Sequence, residues 1–326
     1  MQSKHILIVS HAWYGDVIGG AFRLASEFAE HLAATGHQVS YVCCAATNAA
    51  TKVQTEEICG VRIFRYKQDQ VRRNGVGRMW YHVRQTERLV RQIHAADPVH
   101  VVSGHSPLQM LGAIRCLGPQ VPATYTVHSP FDDEMASNRS AGLMNSFAVR
   151  LARWADRWIV AKCKSVQTVS AYTLRSMTTK HGQSVLQKGV VAPGWVETNQ
   201  FHPASNRSEL RRKLGPAWNV DLPLFFTLRR LENRMGLETL VAACQQLRQE
   251  GLEFRTLIGG SGSLKEILQQ QIVAAGIQDS VCLLGRLPED QLAGCYAAAD
   301  CFVLPTKALE CFGLIVLEAF ACNTPV

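Results

Sequence analysis

Ala299-Asp-Cys-Phe-Val-Leu-Pro305 leads through Thr-Lys-Ala-Leu-Glu310-Cys-Phe-Gly313 into Leu-Ile-Val-Leu-Glu318-Ala-Phe-Ala-Cys-Asn-Thr-Pro-Val326. The first segment is a short apolar run closed by proline, the pattern of a buried strand. The last opens after a glycine and is apolar on nearly every face except at Glu318, the pattern of a buried helix beginning near Gly313. A carboxylate buried there without a partner costs several kcal/mol or gives up its charge, so something polar should meet Glu318. A sugar diol fits, because two carboxylate oxygens can accept two hydroxyl protons. Glu310 falls beside the helix N-terminus, where the free N–H groups of Gly313, Leu314 and Ile315 would face an anion.

Working back from this unit, strand-like and helix-like runs alternate to the start of the chain. His5–Val9 is a strand, followed by Gly19-Gly20 and a helix over Ala21–Thr35 with Leu24, Ala25, Phe28 and Leu32 at helical spacing. Further strands are read at Gln38–Cys43, Val61–Tyr66, Val99–Ser103, Ala123–Val127 and Ser165–Val169, with helices at Met79–Ala95, after Pro107, at Gly142–Cys163 and at Ala171–His181. Ser170 is placed to cap the last of these. Proline and glycine then cluster at 193–223, read as a linker. A second series follows: strands Leu224–Leu228, Arg255–Ile258, Val281–Leu284 and Cys301–Leu304, helices Gly236–Glu250, Ser263–Ala275 and Pro288–Ala298. Alternating βα units with near-continuous apolar strands mean parallel sheets covered on both faces. The fold class is therefore α/β, two tandem Rossmann-like doubly wound domains facing a cleft: residues 1–193, a linker at 194–222, and 223–326.

Composition narrows the function. The chain has 326 residues, 47% hydrophobic and 18% charged, which excludes disordered and collagen-like classes. No apolar run reaches the roughly 18 residues needed to span a bilayer, and the first ten residues do not form a signal peptide. A net charge of +8 favours an anionic partner. Eleven cysteines, an odd number without a CxxC, read as buried thiols in a reducing cytosol rather than as a disulfide framework.

Ligands of open parallel sheets bind beyond the carboxyl ends of the strands. In the first domain those positions carry Gly19-Gly20, His105 and His128; in the second, Arg229-Arg230, Gly259–Gly262, Arg286 and Glu310 through Gly313. Guanidinium forks and glycine-rich turns suit phosphate oxygens. No GxGxxG is present, so a nicotinamide fingerprint is not supported. Arg84, Arg88 and Arg91 share a helix face, with Arg72, Arg73 and Arg78 before it. This reads first as a solvated surface and second as a dock for an acidic membrane surface or a phosphorylated acceptor. Nucleic acid is disfavoured for want of interleaved aromatics.

The E-x7-E pair Glu310/Glu318, with Ala-x-Ala-x-x-Thr-Pro-Val after it, resembles the retaining glycosyltransferases of family 4, which have the GT-B fold. Gly19-Gly20 with Leu24-Ala25 and Gly36-His37, Thr126-Val127-His128, Ala192-Pro-Gly194-Trp-Val196 with Phe201-x-Pro203, Arg230-Leu231 through Gly236, and Gly259–Gly262 follow in the family's order over almost the whole chain. The resemblance implies transfer of a hexose-type sugar from a nucleotide-diphosphate sugar to an acceptor hydroxyl, with retention. It implies that Arg230 and the amides of Gly313 and Leu314 hold the diphosphate, Glu318 the ribose and Glu310 the transferred sugar. His128 would approach the reacting carbon, making His128, Glu310 and Arg230 the catalytic set. Gly19, Gly20, Arg234, Gly260 and Arg286 complete the donor side, and His105 is an acceptor contact. The acceptor is a glycan, a lipid-linked sugar or a small molecule. Asp132-Asp133-Glu134 lacks Asp-x-Asp spacing, so neither metal nor resident cofactor is expected. Two positions depart from the family pattern: Met235 stands where a lysine is usual, and Arg229 where a glycine is usual. The family continues beyond a position like Val326, which implies a truncated second sheet with an association-prone edge. A sugar-nucleotide epimerase of the same fold and a non-catalytic nucleotide-sugar-binding fragment are the other two readings.

Overall fold

The computed structural model describes residues 2–17, 19–46, 53–68, 75–137 and 143–326. Arg72, Arg73 and Gly142 lie outside the described residues. The chain divides into two compact units between Gly194 and Trp195.

The first unit is built on strands β1 (His5–Val9), β2 (Gln38–Cys44), β3 (Gln54–Ile58), β4 (Val61–Tyr66), β5 (Val101–Gly104), β6 (Ala123–Val127), β7 (Ser165–Thr168) and β8 (Gly189–Val191). They lie in the order β3-β4-β2-β1-β5-β6-β7-β8. Neighbours run parallel except β3 against β4. Alternation along β1 explains the two apolar layers: Leu7 and Val9 join one core with Val102, Met110 and Ile159, while Ile8 joins the other with Ala25, Ala29, Tyr41 and Ile63. Both faces are therefore buried, as parallel sheets require.

The β3 strand was not anticipated. Gln54-Thr-Glu-Glu-Ile58 is almost wholly exposed and too polar to read as a strand. It forms because Cys59 and Gly60, both at positive φ (49° and 77°), close a two-residue hairpin onto β4. Its glutamates give the sheet a charged edge that discourages pairing with other chains. Ser170 does cap the helix Ala171–His181, its Oγ accepting from Thr173 N at 3.2 Å.

The second unit carries β9 (Leu224–Leu228), β10 (Arg255–Gly259), β11 (Val281–Gly285) and β12 (Cys301–Phe302), all parallel in the order β11-β10-β9-β12. Alternation again splits the apolar residues: Phe226 and Leu257 face Tyr296 and Ala319, while Phe225 and Ile258 face Leu237, Val241 and Leu268. Phe302 N donates to Pro325 O at 2.7 Å, so the final residues run beside β12. The stretch read as a linker packs into this unit. Phe201 and Trp218 are buried in its core, and the helix Arg207–Leu214 is tied down by Asp300. Asp300 accepts from Arg207, Arg211 and Leu224 N at 3.0, 2.8 and 2.8 Å.

Asp156, fully buried, accepts from Tyr125 Oη at 3.0 Å and Phe131 N at 2.9 Å. Burial outweighs both bonds and raises its pKa from 3.8 to about 7. Between those values the folded chain keeps a proton that the unfolded chain has released, so this group's contribution to stability falls as pH rises. Asp156→Asn, which keeps the shape but cannot ionise, should gain thermal stability relative to the parent as pH is raised from about 5 to about 7.5; melting curves across that range would expose a parallel pair of profiles if the reading were wrong.

Candidate active site

In the second unit the carboxyl ends of β9 and β12 are knitted together. Gly236, at φ 72°, brings its α-carbon so close to the next loop that a Cβ would lie 1.8 Å from Pro305 O. Lys307 N donates to Arg234 O at 3.0 Å, and Arg234 Nη1 reaches Leu309 O at 3.4 Å. The 229–236 loop is thereby fixed against residues 305–310, and Glu310 is delivered to the end of β9.

Arg229 and Arg230 follow β9 directly and diverge. Arg230 is exposed. Arg229 turns inward, with only 8% of its side chain exposed. Its Nη2 donates to Glu310 Oε2 at 2.5 Å and to Thr306 Oγ1 at 2.6 Å, and touches Met235 Sδ at 3.0 Å. Thr306 Oγ1 adds a bond to the same carboxylate oxygen at 3.1 Å. Sequence reasoning placed Arg229 at a strand end but gave the named role to Arg230; the further signal for Arg229 was the paired departure at positions 229 and 235.

Gly313 precedes the helix Leu314–Ala321 in a left-handed conformation (φ 78°, ψ 59°), and no side chain caps that helix. Val316 N–H turns back onto Gly313 O at 2.9 Å, and the N–H groups of Leu314 and Ile315 have no side-chain cap. The Glu310 carboxylate lies beside Gly313: a Cβ there would stand 3.7 Å from Glu310 Oε1. Glu318, on the same helix, is 5% exposed. Something polar does meet it, as its burial demands: Tyr296 Oη donates to Glu318 Oε2 at 2.6 Å, so the carboxylate has a protein partner.

Two other positions have local explanations. Gly260, at φ 127°, would carry a Cβ 1.8 Å from Arg229 O, so glycine is imposed there by the crossing backbone. Gly260 N also donates to Gly285 O at 2.7 Å, which anchors the turn on β11. Arg286 follows β11 and is exposed.

The first unit gathers histidines at its strand ends. His105 follows β5 and His128 follows β6, and their rings meet at 3.2 Å between Nδ1 and Nε2. Ser103 Oγ lies 3.3 Å from the far nitrogen of His105. In such a pair one ring donates and the other, unprotonated on the facing nitrogen, accepts. Burial, and then the neighbouring His128, hold His105 well below the usual imidazole range; burial alone pushes His128 down to about 4. His11, after β1, is held by its N–H to Ser106 Oγ at 2.8 Å, and its ring stands 5.3 Å from that of His82. Gly19 and Gly20 form the start of the helix Gly20–Ala34, which follows β1. Asp132 is buried between Arg153 and Lys180, at 2.9 and 2.8 Å.

Two α/β units with parallel sheets define the GT-B class of fold. The sucrose-phosphate synthase of Thermosynechococcus elongatus superposes with a TM-score of 0.82 at 20% identity, over 99% of this chain and 80% of that one. Anabaena HepE, solved with UDP and glucose, gives 0.72 at 16%, over 99% and 80%. The sequence itself goes further: residues 18–200 match Glycosyltransferase Family 4 and residues 207–326 match the group 1 glycosyl transferases. The chain belongs to glycosyltransferase family 4. Among its curated relatives is the GDP-mannose-dependent alpha-(1-6)-phosphatidylinositol monomannoside mannosyltransferase of Mycolicibacterium smegmatis, 30% identical over 54% of this chain and 47% of its own length. The glycogen synthase of Mycobacterium tuberculosis is 26% identical over 98% of this chain and 77% of its own length. The chain thus spans about half the length of the mannosyltransferase it matches.

His128 should remain neutral throughout the physiological range. A carbon-13 NMR titration of its ring should show a midpoint of about 4. A midpoint at the ordinary imidazole value, near 6.5, would mean that the His105–His128 pair does not persist in solution.

Proposed function

We propose that the chain transfers a hexose-type sugar from a nucleotide-diphosphate sugar to an acceptor hydroxyl, with retention and without a metal. The observation that carries this reading is the convergence of Glu310, Arg229 and the uncapped helix start at Gly313 at the ends of β9 and β12. Breaking a glycosyl–phosphate bond builds negative charge on the departing diphosphate, and a fixed positive environment stabilises it. Arg230, exposed beside this point, and the Gly313 and Leu314 amides are the groups suited to that charge. Glu310 has one carboxylate oxygen engaged by protein, which suits a sugar-hydroxyl acceptor better than a covalent nucleophile. Attack on the front face of the sugar follows from that assignment. The carboxylate of Asp132 is taken up by Arg153 and Lys180, which supports a mechanism that does not use it for metal.

On the same reading His128, neutral and backed by His105, lies close to the reacting carbon, and His105 touches the acceptor. Gly19, Gly20, Arg234, Gly260 and Arg286 complete the donor surface, and Glu318 keeps a ribose contact beside Tyr296. The acceptor is a glycan, a lipid-linked sugar or a small molecule, met in the cytoplasm. The exposed Arg84, Arg88 and Arg91 on the helix Gly75–Ala96 support peripheral contact with an acidic lipid surface. No helix among the described residues is long and apolar enough to cross a membrane.

Turnover of UDP-glucose and GDP-mannose tests the reaction class. Glu310→Ala and Arg230→Ala should each lower it by roughly 10²- to 10³-fold, the scale of losing one charge-stabilising donor. Unchanged rates in both variants would remove the assignment, and an isomerised donor without free nucleoside diphosphate would favour an epimerase. Sedimentation with phosphatidylserine vesicles should lose salt-sensitive binding when the three arginines become alanine; equal binding by parent and variant would dismiss the membrane contact.

A further inference from the structure

Arg229 is an expensive residue to keep where it is. Its side chain is nine-tenths buried, and its Nε has no hydrogen-bond partner. A buried charge satisfied on one side only contributes little to stability, and an apolar side chain of similar volume is often as good or better. Three contacts converge on one nitrogen instead: the two hydrogens of Nη2 are shared among Glu310 Oε2, Thr306 Oγ1 and Met235 Sδ. The backbone is pinned as well, with Arg229 N donating to Gly259 O at 3.0 Å. The carboxylate receives Thr306 on the same oxygen. Oε2 is thus held twice, while Oε1 is left on the side of Gly313.

Met235 explains why the cation comes from position 229. The buried methionine, 5% exposed, touches the guanidinium with its sulfur. A lysine has its ammonium two bonds beyond the atom equivalent to that sulfur, so a lysine at 235 would compete with the guanidinium for the same carboxylate. Two cations cannot share the spot without strong repulsion. The site holds one positive charge at this carboxylate, and position 229 supplies it.

We propose that Arg229 is the positioning residue for Glu310: it fixes Oε2 so that Oε1 presents to a hydroxyl of the transferred sugar, replacing a charge that position 235 does not supply. This rests on the reading of Glu310 as a sugar contact. Arg229 acts on the sugar end of the donor through Glu310, whereas Arg230 acts on the diphosphate.

Calorimetry with UDP-glucose, GDP-mannose, UDP and GDP separates these roles. Arg229→Met should weaken the nucleotide sugar that binds by roughly 10- to 100-fold, the range of a coupled contact. It should leave the free nucleoside diphosphate within about threefold, a change below the scatter of coupled sites. Adding Glu310→Gln to Arg229→Met should weaken the sugar nucleotide no further than Glu310→Gln alone. The transposed variant, Arg229→Gly with Met235→Lys, should recover at least about tenfold of the affinity lost in Arg229→Gly, as a restored coupled contact would. Near-UV circular dichroism checks that each variant is folded. Equal losses for nucleotide sugar and free diphosphate, additive losses with Glu310→Gln, or a folded transposed variant without recovery would each overturn the proposal. Should Glu310→Gln leave sugar-nucleotide binding unchanged, the sugar contact itself fails, and that result is distinct from a failure at Arg229.

Discussion

Parallel strands must be covered on both faces, and that requirement organises everything else here. Leu7, Ile8 and Val9 on β1, and Phe225 and Phe226 on β9, alternate between two apolar layers. Ser40, Thr227 and Thr256 are buried within strands, and several larger polar groups lie where the strands stop. His11, His105 and His128 lie at such ends in one unit, Arg229 and Arg230 at one in the other. The chemistry of the chain is located by its packing before any ligand is considered.

Much of this was legible because apolar runs report burial directly. Leu224–Leu228 and Val61–Tyr66 could be bounded from the residues alone, since most of the positions that end up inside are apolar. Gln54–Ile58 could not, because an edge strand is stabilised by its neighbour and its turn rather than by its own apolarity. The 194–222 stretch was misleading for the opposite reason. Its prolines and glycines read as a break, yet Phe201 and Trp218 had already supplied the apolar contacts that dock it on the second unit.

The site was legible at the level of residue type and place, and opaque at the level of partner. Two arginines in succession leave open which one turns inward, since that depends on the crossing backbone at Gly259–Gly262 and on a carboxylate eighty-one positions away. The same limit governs Glu318, whose hydroxyl partner Tyr296 is brought in from the preceding helix, Glu289–Ala298. A motif names the groups that belong to a site; the tertiary fold decides which of them face one another and which face outward. His128 illustrates the point from the other direction, since its lowered proton affinity comes from surroundings that its neighbours in sequence do not reveal.

The hairpin turn at Cys59 and Gly60 has a practical side. Cys59 is the exposed one of the eleven thiols, sits at the outer rim of the first unit, and belongs to the turn rather than to a strand end. A maleimide dye would meet it first, giving a spectroscopic handle that leaves the polar ends of the strands untouched and needs no engineered residue.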